Sequence, residues 1–352
     1  MRVTEAIAVI TGGRNLEEEQ AYAVMSEIME GTATDSQVAC LITALGMKSE
    51  TREEITGFAK AIRAKALPVK VPGMRLADTC GTGGDMLHTF NVSTTVAFIA
   101  AACGVAVAKH GNRAVSSKCG SADVLEALGV NVNLPPHTAA RCIEETGIAF
   151  LFAPTFHSAM KHAVKARKEI GIRTVFNLLG PLVNPAGVQV QLVGVYAPEL
   201  TDIIGEVLIG LGVESALVVH GAGGMDELST LGPTKVTEIR DGAIRTYHLD
   251  PEKLGLQRAV EADLQGGSLR ENAECATRIL NGLPGPKLDL ALLNAAAVLY
   301  ASDKVPDFSK GIEMAREAVS SGRARQKLDD LKHFCGRVSG KGGKAEVRLS
   351  SA

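Results

Sequence analysis

Three short apolar runs in this chain each end on a polar loop containing glycine. Residues 76–79 lead into Gly81-Thr82-Gly83-Gly84-Asp85, residues 105–108 into Lys109-His110-Gly111-Asn112-Arg113, and residues 216–219 into Gly221-Ala222-Gly223-Gly224-Met225-Asp226-Glu227. Further Val/Ala-rich runs at 149–152 and 190–196 alternate with segments of helical character, the pattern of a sheet covered by helices. A polar hairpin is expected to join 235–240 to 243–249 through Asp241-Gly242. Glycine at a strand end lets backbone N–H groups turn toward a ligand, and a helix N-terminus just beyond attracts anions. Ser93 and Thr94 suit such a helix start, expected at 93–103 with Gly104 as its stop. Lys109 and Arg113 add positive charge. The first two loops together point to a phosphorylated ligand.

Residues 1 to about 68 carry helical periodicity only. Asn15 with Glu18, Thr34 with Gln37, and Thr51 with Glu54 each have capping-box spacing, and apolar residues follow at helical intervals. Pro68 and Pro72 bracket a linker. Residues 158–170 then form a basic helix with Lys161, His162, Lys165, Arg167 and Lys168, followed by a Gly/Pro-punctuated crossover ending at Asn184-Pro185. The rest reads as helices at 268–281, 288–300 and 310 through about 334. The fold class is thus α/β: a small all-helical N-terminal domain (1–70, completed by 158–187) plus a large α/β domain (71–336). That domain has a central, mostly parallel sheet flanked by helices, and 337–352 form a fraying tail. Ile28, Met29, Leu41, Leu45 and Ile55 give the helical segment more apolar stripe than one small bundle hides, which predicts a symmetric dimer.

A net charge of −2 means that any anion site is local, and argues against binding nucleic acid through bulk charge. Trp is absent and aromatics make up only 4 %, which leaves little surface for base stacking. The seven cysteines are an odd count with no C-x-x-C pair, as reduced thiols of a cytoplasmic protein would be, each expected as a small core residue. No secretory h-region opens the sequence and no apolar run is long enough to span a bilayer, so no membrane role is expected.

The first loop is not a dinucleotide fingerprint, because Met86 stands where the third glycine belongs, and no Gly-Lys-Ser/Thr follows as a Walker loop requires. A glycine turn after a strand is commonly only a turn; the hydroxyls, Asn91 and a helix start beyond it favour an anion. The second loop, 109–117, holds one Val and one Ala and is otherwise polar or glycine. It reads as a surface loop or, beside the first at neighbouring strand ends, as the other wall of one crevice. Asp226 and Glu227 read either as solvated acids or as Mg2+ ligands, since carboxylates join substrate phosphates around that ion. Arg167 could pair bidentately with a carboxylate, which lysine does less well. His157 and His162 lack further ligands at metal spacing, and His137 beside Pro135-Pro136 reads as a helix-start residue.

Taken together, these stretches resemble the anthranilate phosphoribosyltransferase family of tryptophan biosynthesis. The resemblance is carried by Gly81-Thr82-Gly83-Gly84-Asp85, Asn91-Val92-Ser93-Thr94, Lys109-His110-Gly111-Asn112-Arg113 with Ser116 and Ser117, Ala166-Arg167, Phe176-Asn177-Leu178-Leu179-Gly180-Pro181-Leu182, and Gly224-Met225-Asp226-Glu227. It runs to about residue 335. It implies the fold shared with pyrimidine nucleoside phosphorylases, a homodimer formed through the helical domains, and transfer of the phosphoribosyl group from phosphoribosyl diphosphate to the amine of anthranilate. By the same resemblance, phosphoribosyl diphosphate is held by Gly81, Gly84, Asp85, Thr89, Asn91, Val92, Ser93, Thr94, Lys109, His110, Gly111, Asn112, Arg113, Ala114, Val115, Ser116, Ser117 and Ser121. Ser93, Asp226 and Glu227 serve Mg2+, with two ions per monomer, and Gly81, Asn112 and Arg167 contact anthranilate. Lys109 and His110 are the catalytic candidates, Lys109 stabilising the leaving diphosphate and His110 orienting substrate or relaying a proton.

Two rivals share parts of the pattern. A pyrimidine nucleoside phosphorylase has the same fold but binds free phosphate, and the paired acids and Arg167 argue against it. A non-catalytic phosphate-binding regulator needs the glycine loops but not Asp226 and Glu227.

Overall fold

The computed structural model of the protein describes residues 1–85, 87–114 and 119–346, the side chains of 339–346 excepted. The phosphate-loop candidates Val115, Ser116 and Ser117 lie outside the described residues. Four helices come first: α1 (Val3–Thr11), α2 (Glu18–Met29), α3 (Asp35–Lys48) and α4 (Arg52–Lys65). Two of the three expected capping boxes form. Thr34 and Gln37 exchange bonds of 3.3 and 2.9 Å, and Thr51 and Glu54 do the same at 3.3 and 2.9 Å. Glu54 is fully buried and also accepts from the Leu16 N–H (2.9 Å) and Lys48 Nζ (2.9 Å), so one cap ties α4 to α3 and to the loop before α2. The third box is displaced. Asn15 is drawn off by Lys48 Nζ (2.9 Å), and the cap of α2 is Glu17, whose N–H donates to Gln20 Oε1 (3.1 Å).

All seven expected strands are present: β1 (Leu76–Gly81), β2 (Ala106–Gly111), β3 (Ile148–Phe152), β4 (Val190–Gly194), β5 (Ser215–His220), β6 (Thr234–Arg240) and β7 (Ala243–Leu249). They form one sheet in the order β3-β2-β1-β4-β5-β6-β7. The first four neighbour pairs are parallel and the last two antiparallel, with the hairpin turning at Asp241-Gly242. β7 is the outer edge and is mostly exposed, whereas β3 and β4 are buried throughout. The chain fills positions to one side of β1 first and then crosses to β4 on its other side. The topological switch therefore lies between β1 and β4, where open α/β sheets bind ligands.

One face of the sheet packs on α5 (Val92–Ala102) and the helix Pro286–Ala301, with Phe308–Ser320 packed behind them. The other face, through Val193, Val195, Ala216 and Val218, joins the helix Leu200–Gly210 and the N-terminal bundle in a second apolar body. The crossover residues Val175, Phe176, Leu178, Leu179 and Leu182 lie in that body too. This corrects the argument for a dimer from an unhidden stripe. Ile28, Met29, Leu41, Leu45 and Ile55 are all buried inside one chain, because the crossover and the sheet cover what a lone bundle would leave open.

Other boundaries differ as well. α5 begins at Val92 with Asn91 as its cap, one residue before the expected start. The helix expected at 310–334 is two, Phe308–Ser320 and Arg323–Glu346, because Gly322 at φ 81° breaks the run. The second continues to Glu346, through part of the expected tail, since extending a formed helix costs far less than starting one. Cys40 is exposed and Cys80, Cys103 and Cys275 are only partly covered, so the expectation of core thiols holds for Cys119, Cys142 and Cys335 alone. No helix among the described residues is long and apolar enough to cross a membrane.

α2 and α4 approach closely at Gly57. A Cβ there would run into the Glu18 carbonyl and lie 2.8 Å from Ala21 Cβ and 2.9 Å from Tyr22 N. Alanine gains about 1 kcal/mol of helix propensity over glycine, but overpacking a tight core costs about 1–3 kcal/mol. Gly57→Ala is therefore expected to lower the urea midpoint with an unchanged slope. A raised midpoint would mean that propensity outweighs the contact.

Candidate active site

β1 and β4 end side by side at Gly81 and Gly194, which are in register. Asp226 sits against both. A Cβ on Gly81 would lie 2.8 Å from Asp226 Cγ, and one on Gly194 would collide with the Asp226 carbonyl and lie 3.0 Å from its Cα. Only glycine at these two strand ends leaves room for the acid. Its Oδ2 accepts the Gly83 N–H at 2.7 Å. The Asp226 loop is itself fixed: Gly221 and Met225 bridge, Gly223 and Gly224 take φ of 82° and 84°, and the buried Asn294 clamps Leu228 with two bonds of 2.9 Å. The third glycine loop thus inserts its acids beneath the first.

The first loop is held from two other sides. Thr82 N–H donates to Gly194 O (2.9 Å), and Thr82 Oγ1 accepts from Tyr196 N (3.2 Å). Arg173 donates to the Gly84 carbonyl while its guanidinium lies 4.6 Å from the Tyr196 ring centroid. Beyond the loop, Thr89 bridges to Gln265 and Phe90 N–H donates to Leu264 O. At the start of α5, Asn91 Nδ2 donates to the Cys119 carbonyl (3.1 Å), and Ser93 O accepts from Thr79 Oγ1 (2.9 Å). Asn91 Oδ1, Thr94 Oγ1 and Asp85 Oδ2 are buried without a partner among the described residues. Such atoms are costly unless something pairs with them.

The second loop leaves β2 beside the first. Lys109 is buried and its Nζ donates to the Thr79 carbonyl. Asp78, with no exposed surface, accepts at Oδ1 from the N–H groups of Thr79 (2.8 Å) and His110 (3.1 Å). Its Oδ2 accepts from Asn184 Nδ2 (2.8 Å), which also reaches the Ala108 carbonyl (2.8 Å). Gly111 packs against Ser121 Oγ and the Phe150 ring, and Ser121 Oγ donates to Asn112 O (3.1 Å). Arg113 is not free for an anion. It binds Asp123 (2.9 Å) and, bidentately, Glu126 (2.6 and 2.8 Å), and Asp123 also takes the N–H groups of Ala114 and Gly120.

The crossover reaches the second loop at His110, whose Nδ1 lies 3.3 Å from the Gly180 carbonyl. Burial and the neighbouring His157 push the His110 imidazole down to about 3, so it is neutral. A carbonyl can only accept, so the proton is on Nδ1 and Nε2 is a lone pair, buried and without a partner. His157 meets it edge-to-face at 5.1 Å and is pushed down to about 4, chiefly by burial. Arg167, on the helix Lys161–Ile170, lies 4.9 Å from the Phe176 ring centroid and is lowered by burial. No carboxylate of the described residues pairs with it.

The electrostatics of the acids run the other way. Burial and the adjacent Asp85 raise the Asp226 carboxyl to about 7. Glu227 is raised by burial and by Asp226, against the pull of Lys109 and a bond from the Ser93 backbone. Asp226, Asp85 and Glu227 thus face one another, short of positive charge. Among the described residues, no three His, Cys, Asp or Glu side chains are already gathered around an ion position.

Residues 4–66 match the helical bundle domain of the glycosyl transferase family and residues 73–325 its a/b domain. The chain is 52 % identical to the anthranilate phosphoribosyltransferase of Acetivibrio thermocellus, over 94 % of this chain and 96 % of that one. The chain belongs to the anthranilate phosphoribosyltransferase family. The crystal structure of the Thermus thermophilus member superimposes with a TM-score of 0.89 at 46 % identity, covering 94 % of this chain and 99 % of that one. The Saccharomyces cerevisiae member, solved in complex with phosphoribosyl diphosphate and Mg, gives 0.87 at 28 % identity, covering 95 % and 98 %.

Three residues packed around this crevice were given no role from sequence, Asp78, Arg173 and Asn184, and His157 was weighed only as a metal ligand. Arg173 alone carries a signal, a single charge set between the basic helix and the crossover.

The raised carboxyls have a consequence for stability. When metal is absent, folded Asp226 keeps a proton that the unfolded chain releases near the ordinary carboxylate pKa. Its contribution is therefore full at acid pH and is lost as pH rises through about 4 to 7. The wild-type midpoint, with chelator present, is expected to fall relative to Asp226→Asn across that window. Parallel pH profiles for the two proteins would remove Asp226 as the source.

Proposed function

We propose that the crevice outside β1 and β4 binds phosphoribosyl diphosphate, and that the amine of anthranilate displaces diphosphate from ribose C1. The products are N-(5-phosphoribosyl)anthranilate and diphosphate, in tryptophan biosynthesis. The observation that carries this reading is the seat of Asp226 beneath Gly83 at the switch point, beside Asp85 and Glu227. Acids crowded at a phosphate loop fit a cation, and Asp85 Oδ2, buried without a partner, fits the same ion. Mg2+ is held by one or two carboxylates together with substrate phosphates and water. Asp226, Glu227 and Ser93 would hold it here, and with Asp85 the donor set suits two ions per monomer. When bound, Mg2+ neutralises charge on the diphosphate.

The chain's own groups do the remaining work. The first loop through Gly81, Gly84 and Asp85, the start of α5 at Asn91–Thr94 with the unpartnered Thr94 hydroxyl as a donor, Thr89, and the second loop from Lys109 to Ser117 with Ser121 cradle the diphosphate. Lys109 brings a buried positive charge to the crevice from the end of β2, while Arg113 acts by holding the loop through Asp123 and Glu126. Gly81, Asn112 and Arg167 receive anthranilate. An aryl amine is neutral at pH 7, so no strong base is needed to begin. The His110 Nε2 lone pair can orient that amine or accept its proton after attack. Holding both substrates in line supplies much of the rate.

The protein is expected in the cytoplasm as a homodimer. The protomer leaves Tyr22 on α2, Met47 on α3 and Val164 on the helix Lys161–Ile170, against which both pack, exposed, and Met47 is 85 % exposed. Light scattering at micromolar concentration is expected to give twice the mass of one chain, and the mass of one chain would overturn the dimer.

The activity is tested by mixing anthranilate, phosphoribosyl diphosphate and Mg2+ and following loss of anthranilate fluorescence. No loss, with phosphorolysis of a pyrimidine nucleoside instead, would transfer the chain to its rival reaction. Arg167→Ala removes a charge-assisted bond worth about 1.5–3 kcal/mol, or roughly ten- to over a hundred-fold in affinity. Calorimetry is expected to find that loss for anthranilate and much less for phosphoribosyl diphosphate, with Arg167→Lys restoring part of it. Equal weakening of both substrates would exclude Arg167 as the carboxylate anchor.

A further inference from the structure

Arg63, in the last turn of α4, is largely buried and has no acidic partner among the described residues. Its Nε donates to the Leu182 carbonyl at 2.7 Å and its Nη1 to the Leu211 carbonyl at 3.1 Å, while Nη2 is buried without a partner. Burial alone pushes the guanidinium down to about 10. A cation taken out of water needs compensation. Here it comes from carbonyls at helix ends: Leu211 caps Leu200–Gly210, and Leu182 closes the turn Gly180–Leu182.

The three segments that meet at this guanidinium belong to different parts of the molecule. α4 is in the bundle, Leu200–Gly210 lies on the sheet, and Leu182 is in the crossover. The other side-chain bonds to the crossover's end come from the sheet side: His110 at Gly180 O, Gln191 Nε2 at Pro181 O (2.9 Å), and Asp78 at Asn184. Arg63 is the one side chain of α1–α4 that hydrogen-bonds the crossover, among the described residues. Two residues before Leu182 stands the carbonyl that fixes the His110 tautomer. Six residues before it stands Phe176, the ring beneath Arg167.

We propose that Arg63 is a positioning residue for the acceptor half of the site. It touches no substrate. Through Leu182 it sets the crossover against the bundle, and so sets where the Gly180 carbonyl holds His110 and where Phe176 holds Arg167. This rests on the reading of the crevice as the anthranilate site.

The test uses the full-length protein with Mg2+, comparing wild type, Arg63→Met, Arg63→Lys and Arg63→Ala. In Arg63→Met, KM for anthranilate is expected to rise about tenfold or more, while KM for phosphoribosyl diphosphate moves less than about twofold. The ring-nitrogen NMR signals of His110 are expected to shift in the same variant. Guanidinium at millimolar concentration is expected to recover part of the anthranilate KM in Arg63→Ala. A lowered melting temperature with both KM values and the His110 signals unchanged would overturn the proposal, as would equal rises in both KM values. If Arg63→Met does not fold, Arg63→Lys carries the same comparison, since it keeps the charge but not both bonds. If wild type neither binds nor consumes anthranilate, the functional reading fails by itself, and the His110 signals still decide the role of Arg63.

Discussion

The buried carboxylate of Asp78 joins the parts of the site that chain order keeps apart. It lies in β1, receives the His110 N–H from β2, and receives Asn184 from the crossover more than a hundred residues on. Burial pushes its carboxyl up, while Lys109 and the bonds from Asn184, His110 and Thr79 pull it down. Taking a carboxylate out of water is expensive, and only a full set of partners makes it tolerable. The same bonds that satisfy Asp78 therefore decide where Lys109 and His110 stand. They add to the pairing of Lys109, His110 and Gly111 with β3, which already holds the end of β2 in register.

Much of this architecture was legible in the amino-acid sequence. The parallel strands were legible because each is short, apolar and followed by a glycine or polar loop, but their ends were not: β1 runs on to Gly81 and β2 takes Lys109, His110 and Gly111 from the expected loop. Thr34 and Thr51 were legible as caps because a cap is a contact across three residues. The insertion of Asp226 could be guessed only in outline. The glycines and acids were visible, but the bond from Gly83 spans 143 residues, and nothing local says that Gly81 and Gly194 are glycine for the sake of one distant carboxyl.

What sequence could not give were competitions between partners. Asn15 has a cap's chemistry, yet Lys48 claims it. Arg113 has a phosphate ligand's chemistry, yet Asp123 and Glu126 claim it. The apolar stripe of the bundle looked unhidden because the residues that hide it, at 175–183 and 193–218, come from far along the chain. Arg63 carried no signal at all, since its partners are backbone carbonyls, and any residue has those.

The reversal of direction at β6 bears on how this molecule behaves at high concentration. β5 is buried along nearly its whole length, and a sheet that stopped there would present an apolar row with unpaired backbone groups, a template for another chain. The hairpin covers that row and moves the edge to β7, whose exposed residues include Arg245, Thr246 and His248. Charged and polar side chains on an edge strand discourage strand-to-strand polymerisation. The hairpin adds no group to the crevice. It lets a sheet rich in valine and alanine coexist with many copies of itself without growing into fibres.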